Sequence, residues 1–194
     1  MSYHIYTTNG IILKRTPFGE ANLLLHILTE DFGLIMASAQ SARLSVSKLR
    51  SALQEYTLVS VSCIKGKNGW KTTNVLEKDN FYFTYPEYTH RTLAQVVSVL
   101  MQMMPGEDPQ STIFNTVKTG FQFLKKIKKE NISNMECLLV LRILYHLGYV
   151  FADPMTERYV SNTTEWSEEL LGEVAKQKIE TVAVINKAIK ASQL

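Results

Sequence analysis

Cysteine is nearly absent from this chain. Cys63 and Cys137 are the only two, far apart in sequence and without CxxC or CxH spacing. That excludes a disulfide framework and gives no zinc-ligand pattern, so no metal and no cofactor are expected. Long apolar runs are missing too. The run at Leu138–Leu141 falls far short of the roughly 20 residues that a bilayer-spanning helix needs. Met1-Ser2-Tyr3-His4 lacks the cationic start and apolar core of a secretory signal. A cytoplasmic, reduced protein with no membrane contact is the expectation.

Catalytic signatures are equally scarce. The four histidines (His4, His26, His90 and His146) fall in four different segments, none with a carboxylate at useful spacing. Gly10, Gly19 and Gly33 are isolated, each where a turn or bulge wants glycine, and no phosphate loop, GxSxG or HExxH occurs. Glu30 and Asp31 are adjacent carboxylates in a turn, where solvation accounts for them. No enzyme is expected.

What is present is an ordinary globular composition, 45% hydrophobic and 20% charged, over 194 residues. That length holds one large or two small domains. The charge is uneven. Residues 1–80 carry 9 Lys/Arg against 6 Asp/Glu, whereas residues 81–194 carry 12 against 12, so the whole excess of +3 lies in the first part.

The hydrophobic period changes near residue 85. Before it, five strand-like segments are predicted at Tyr3–Arg15, Ala21–Thr29, Leu34–Ser41, Leu53–Lys65 and Trp70–Glu77. Leu58-Val59 interrupts an otherwise clean alternation from Tyr56 to Ile64. Glu30-Asp31-Phe32-Gly33 and Lys65-Gly66-Lys67-Asn68-Gly69 read as hairpin turns. Five strands with no intervening helical period predict a small OB-fold-like barrel over residues 1–82.

A helical domain is expected over residues 83–194, an α+β protein overall. Thr92–Met104 is apolar at spacings of three and four. Asp108-Pro109 reads as the start of a helix running towards Lys129, and Ser133 with Glu136 as a capping box for the next. Ten of the thirteen residues from Met135 to Leu147 are apolar, the mark of a central buried helix ended by Gly148. A short helix after Trp166-Ser167 and a last one from Lys178 to about Ser192 follow.

Three cationic groups are candidates for anionic ligands. Between the third and fourth strands, Ala42 to Arg50 holds Arg43, Lys48 and Arg50. Lys48 and Arg50 point the same way on an extended segment, with Ser41, Ser45 and Ser47 adding hydroxyls. Lys65, Lys67 and Lys71 flank the hairpin that presents Trp70, which is either a barrel-end plug or a platform for a nucleobase. Lys125, Lys126, Lys128 and Lys129 either complement a helix C-terminus or receive an acidic partner peptide or nucleic acid. The Met101, Met103, Met104 stripe reads as core filler.

Leu13-Lys14-Arg15-Thr16-Pro17-Phe18-Gly19-Glu20-Ala21-Asn22 resembles the opening strand and turn of the bacterial DNA-repair family RecO. Leu28 to Ile35 resembles its next hairpin, and Ser41-Ala42-Arg43 with Lys48 to Gln54 resembles its basic stretch. Leu141 to Tyr149 resembles the helix before its zinc-finger region. The match is dense over residues 11–81 and sparse afterwards.

The resemblance implies an OB-fold followed by a helical domain, and a non-catalytic recombination mediator. Such a protein binds single- and double-stranded DNA, anneals complementary strands and assists RecA loading. The implied partners are RecR and the acidic C-terminal tail of single-strand-binding protein. Implied DNA contacts are Arg43, Lys48 and Arg50, with Lys14 and Arg15 beside them. Loop and hairpin cations would then neutralise two backbones while exposed aromatics keep bases available for pairing.

The chain departs from the family where the basic stretch has Ser41, Leu44 and Val46 in place of glycine, arginine and a polar residue. Fewer cations release fewer counterions, so lower and less salt-sensitive affinity is expected. The four zinc-binding cysteines of many members have no counterpart between Val150 and Trp166. A helical domain short for the family is expected. The rival reading is a protein-interaction adaptor that recruits repair partners with negligible DNA affinity.

Overall fold

The computed structural model describes residues 4–44, 51–154, 156–162 and 164–192. Its first compact unit is Met1–Thr84 with Pro105–Phe114, and its second is Tyr85–Met104 with Asn115–Leu194.

In the first unit the alternating segments become β1 (Ile5–Phe18), β2 (Asn22–Thr29), β3 (Gly33–Ala39), β4 (Thr57–Gly66) and β5 (Gly69–Asn80). Gly33 and Gly69 take φ of +69° and +93°, the left-handed backbone that tight reversals need. Antiparallel pairing joins β1 to β2, β2 to β3, β4 to β5 and β1 to β4. A short parallel contact, Ala37 opposite Trp70, joins β3 to β5 and closes the five strands into a ring, an OB-like arrangement. Inward positions such as Ile27, Ile35, Val59 and Val61 are fully buried. Burying each such side chain contributes roughly 1.5–3 kcal/mol. Ala42, Ala52 and Leu53, from the connection between β3 and β4, join the same core.

Three register shifts adjust the ring. The blurred period at Leu58-Val59 coincides with one of them. Leu58 pairs with Asp79 and Val59 with Glu77, which leaves Lys78 as the extra residue on β5. A second, between Ser62 and Cys63, leaves Thr73 as the extra residue on β5, and the third leaves Leu13 unpaired between Ile12 and Lys14 on β1. Such an insertion shifts the side-chain phase and bends the strand.

Pro105–Phe114 is held against the β2–β3 turn. Leu34 N–H donates to Gly106 O at 2.8 Å, and Lys65 Nζ pairs with Glu107 Oε2 at 2.6 Å.

The second unit contains α1 (His90–Met103), the latter part of α2 (Ser111–Leu124), α3 (Ile132–His146), α4 (Glu157–Val160), α5 (Glu168–Lys176) and α6 (Lys178–Ala191). α3 packs against α1, α4, α5 and α6, as its apolar circumference requires. At its centre Arg142 is 1% exposed. Its Nε donates to Tyr159 O at 2.6 Å, its Nη1 donates to Glu165 O at 2.8 Å, and its guanidinium lies 4.3 Å from the Trp166 ring centroid. Ser167 caps α5 by accepting from Leu170 N–H.

Three sequence expectations are corrected. The Ser133–Glu136 capping box does not form, because the helix starts earlier, continuing from a 3-10 turn at Lys129–Asn131. Ser133 Oγ instead accepts from Lys178 Nζ, and Glu136 accepts from Thr92 Oγ1. α2 ends at Leu124, so Lys125–Lys129 follow the helix instead of forming its last turn. α2 also starts at Ser111, and Asp108 accepts from Gln110 Nε2 instead of capping it.

Candidate nucleic-acid interface

β1 leaves its β4 partner at Ile12, opposite Thr57, but continues with β2 alone to Phe18, opposite Asn22. The outer part of this ribbon carries Lys14 and Arg15, both exposed, past the start of β4. Arg15 borders two grooves. One, of about 350 Å³, is also lined by Gln54, Glu55, Tyr56, Tyr82 and Phe83. The other, also about 350 Å³, is lined by Pro17, Leu23, Ala42 and Arg43. Arg43 Nη1 donates to Gly19 O at 3.3 Å and Glu20 O at 3.1 Å, which fixes the guanidinium on the β1–β2 turn. Arg15 and Arg43 therefore share a groove on the barrel rim. Among the described residues neither forms an ion pair, which leaves their charge open to an anion.

Lys48 and Arg50 lie outside the described residues, which resume at Ser51.

Lys65, Lys67 and Lys71 sit elsewhere. Their hairpin is at the Gly66–Gly69 end of the β4–β5 ribbon, and the rim groove is at the Thr57–Asn80 end. Ten residues of β4 at about 3.3 Å each separate the two ends by roughly 30 Å. Lys65 is engaged with Glu107 and lies 5.2 Å from the Trp70 ring centroid. The ammonium hydrogen-bonded to it holds the Glu107 carboxyl below the usual carboxylate range.

Trp70 needs a correction as a stacking platform. It is 4% exposed and packs in the core with Tyr6 and Phe32, at centroid distances of 5.5 and 5.2 Å. The parallel β3–β5 contact passes at Trp70 itself, so its ring turns inward and plugs the barrel.

In the second unit, Lys125 lies over the Tyr85 ring and Lys126 over Phe123, while Lys128 pairs with Glu168 at 3.8 Å. Lys129 opens the 3-10 turn before α3. The four lysines are therefore spread over a turn with separate neighbours.

Sequence reasoning missed the rim aromatics. Phe81-Tyr82-Phe83 directly follows β5, and three consecutive aromatics cannot all face a core, which was the available signal. Phe81 is fully buried, whereas Tyr82 is 40% and Phe83 71% exposed.

Burial pushes the Cys63 and Cys137 thiols up to about 11, which keeps both protonated near neutrality. Among the described residues no group of three His, Cys, Asp or Glu side chains is placed to hold a metal ion, and no helix is long and apolar enough to cross a membrane.

Comparison with known proteins gives matches to one family, RecO. The family model described as recombination protein O N terminal matches residues 1–78. DNA repair protein RecO of Thermodesulfovibrio yellowstonii is 29% identical over 150 residues, 75% of this chain and 58% of that protein. RecO of Heliobacterium modesticaldum is 26% identical over 145 residues, 75% and 52%. RecO of Dehalococcoides mccartyi is 41% identical over 64 residues, 33% and 25%. The chain thus spans about half the length of the first two relatives.

Proposed function

We propose, from the match of residues 1–78 to the RecO N-terminal family model, that this chain is a non-catalytic DNA-binding mediator of recombinational repair. It binds single- and double-stranded DNA and brings complementary strands together for annealing. By the same family relation it assists RecA loading, with RecR and the acidic tail of single-strand-binding protein as partners. Lys125, Lys126, Lys128 and Lys129 are the cations proposed for the acidic partner.

The observation that carries the reading is the shared rim groove of Arg15 and Arg43. Two guanidiniums that form no ion pair among the described residues border one depression, and one of them is pinned by two backbone carbonyls. Guanidinium forks suit phosphate oxygens, and backbone contacts of this kind set register without reading sequence. Lys14 stands beside them on the same ribbon, and Lys48 and Arg50 follow Arg43 in sequence.

Titrating the full chain into a labelled single-stranded oligonucleotide at several salt concentrations tests this. Four contacts from Arg15, Arg43, Lys48 and Arg50 give a log–log salt slope of about −3, so a fourfold rise in salt weakens binding about 50-fold. Arg15→Gln and Arg43→Gln each reduce the slope by about 0.7. Lys48→Glu with Arg50→Glu weakens binding without lowering the melting temperature. No binding even at low salt would refute the reading in favour of the adaptor.

A further inference from the structure

An exposed phenylalanine is unfavourable in water unless something covers it, and here the backbone is built to keep one exposed. Asn80, buried at the end of β5, accepts at Oδ1 from both Tyr82 N–H (3.1 Å) and Phe83 N–H (3.0 Å). Its Nδ2 donates to Thr57 Oγ1 at 3.1 Å, and Thr84 Oγ1 donates to Asn80 O at 2.5 Å. The turn after β5 is therefore pinned by a buried side chain and does not hang loose. Phe81 turns inward as its anchor, and Phe81 N–H donates to Tyr56 O at 3.0 Å.

Tyr56 is at φ +61°, a backbone region that a bulky residue enters only against a steric penalty. In that conformation its ring stacks on Tyr82, with centroids 5.9 Å apart and an interplanar angle of 19°. Phe83 meets Tyr82 edge-on at 5.4 Å. Phe83 stands between two grooves. One is the Arg15 groove; the other, of about 400 Å³, is lined by Ser51, Gln54, Glu77, Asn80 and Thr84. The rim thus reads, in order, Arg43, Arg15, Tyr82, Phe83.

We propose that Tyr82 and Phe83 form a base-stacking step which makes this rim select single-stranded over duplex DNA; the inference rests on the DNA-binding reading above. Charge assigns which side of the strand faces each part of the rim. Arg15 and Arg43 take phosphates on one side. On the aromatic side Glu55 and Glu77 repel phosphate, but their carboxylate oxygens accept from the amino groups of bases. One Glu55 oxygen already accepts from Arg15 N–H at 3.0 Å, which holds that carboxylate in place. The backbone runs along the arginines and the bases lie towards the rings. Only unpaired bases have faces free for Phe83, because in a duplex those faces are stacked on their neighbours. Every base has such a face, so the selection is for strandedness and tolerates any sequence.

The test uses the full chain with Phe83→Ala, Phe83→Leu and Phe83→Trp. Affinity is measured for one labelled oligonucleotide as a single strand and as a duplex, with 2-aminopurine fluorescence reporting stacking. Phe83→Ala and Phe83→Leu are expected to lose about 5- to 150-fold on the single strand. Duplex affinity, salt slope and melting temperature stay unchanged, and Phe83→Trp restores both affinity and quenching. Phe83→Ala within twofold of the parent on single strands, or an equal loss on both substrates, overturns the stacking step. If Arg15→Gln with Arg43→Gln still weakens binding in that case, the DNA-binding reading stands without it. A parent chain that binds neither substrate refutes both.

Discussion

Replacing Gly33 with alanine puts a methyl group where backbone already lies. At φ +69°, a Cβ on Gly33 would stand 2.2 Å from Asp108 O, 2.6 Å from Gly106 O and 2.7 Å from Asp108 N. All three are main-chain atoms, so no rotamer change relieves the overlap and the 105–108 segment must lift off. The left-handed backbone itself costs a residue with a Cβ about 1–2 kcal/mol. Lifting the segment breaks the Leu34–Gly106 hydrogen bond, worth about 1 kcal/mol. It also separates the half-exposed Lys65–Glu107 pair, worth at most about 1 kcal/mol. Gly33→Ala is therefore expected to destabilise by about 3 kcal/mol, lowering the melting temperature by roughly 6–12 °C. Gly69→Ala is the control. It shares the positive φ, at +93°, but its Cβ meets nothing within 4 Å, so only the backbone penalty remains. Urea and thermal denaturation followed by circular dichroism measure both variants. A Gly33→Ala loss no larger than that of Gly69→Ala would refute the docking of the 105–108 segment.

Arg142→Lys removes a planar fork that serves two carbonyls and stacks on Trp166, leaving a point charge in the same buried place. A loss of about 3 kcal/mol in a thermal melt is expected, and a change below about 1 kcal/mol would mean the guanidinium geometry is dispensable. Burial, and then the neighbouring Lys14 and Arg142 charges, hold His26 and His146 below their ordinary 6.5. The unfolded chain then takes up protons first as the pH falls. Stability is full above about pH 6.5 and declines towards the lower folded values. Denaturation midpoints between about pH 7 and pH 5 should fall for the parent and fall less for His26→Gln with His146→Gln; identical profiles would refute the assignment.

Features set by neighbours along the chain were legible in the sequence. The hairpin turns at Gly33 and Gly69 follow from a backbone that only glycine adopts easily. α3 follows from ten apolar residues in thirteen, and the start of α5 from Ser167 ahead of its acidic first turn. The interruption at Leu58-Val59 was visible as a lapse in alternation, and pairing with β5 gave it meaning as a bulge that leaves Lys78 as the extra residue.

Closure was a different matter. The parallel contact of Ala37 with Trp70 joins residues 33 positions apart, and no local period encodes it. Yet that contact turns Trp70 inward and removes it as a platform. The length of β4 likewise sets the hairpin lysines at the opposite end of the β4–β5 ribbon from the rim groove, although both groups looked alike as clusters of positive charge. Tyr82 and Phe83 stay exposed because Asn80 is buried across from Thr57 and pins the turn that holds them. Composition and period determined which segments are strands or helices and where the net charge lies. Which side chains share a surface was decided only when distant strands met, because burial and charge proximity depend on three-dimensional neighbours that short-range patterning does not specify.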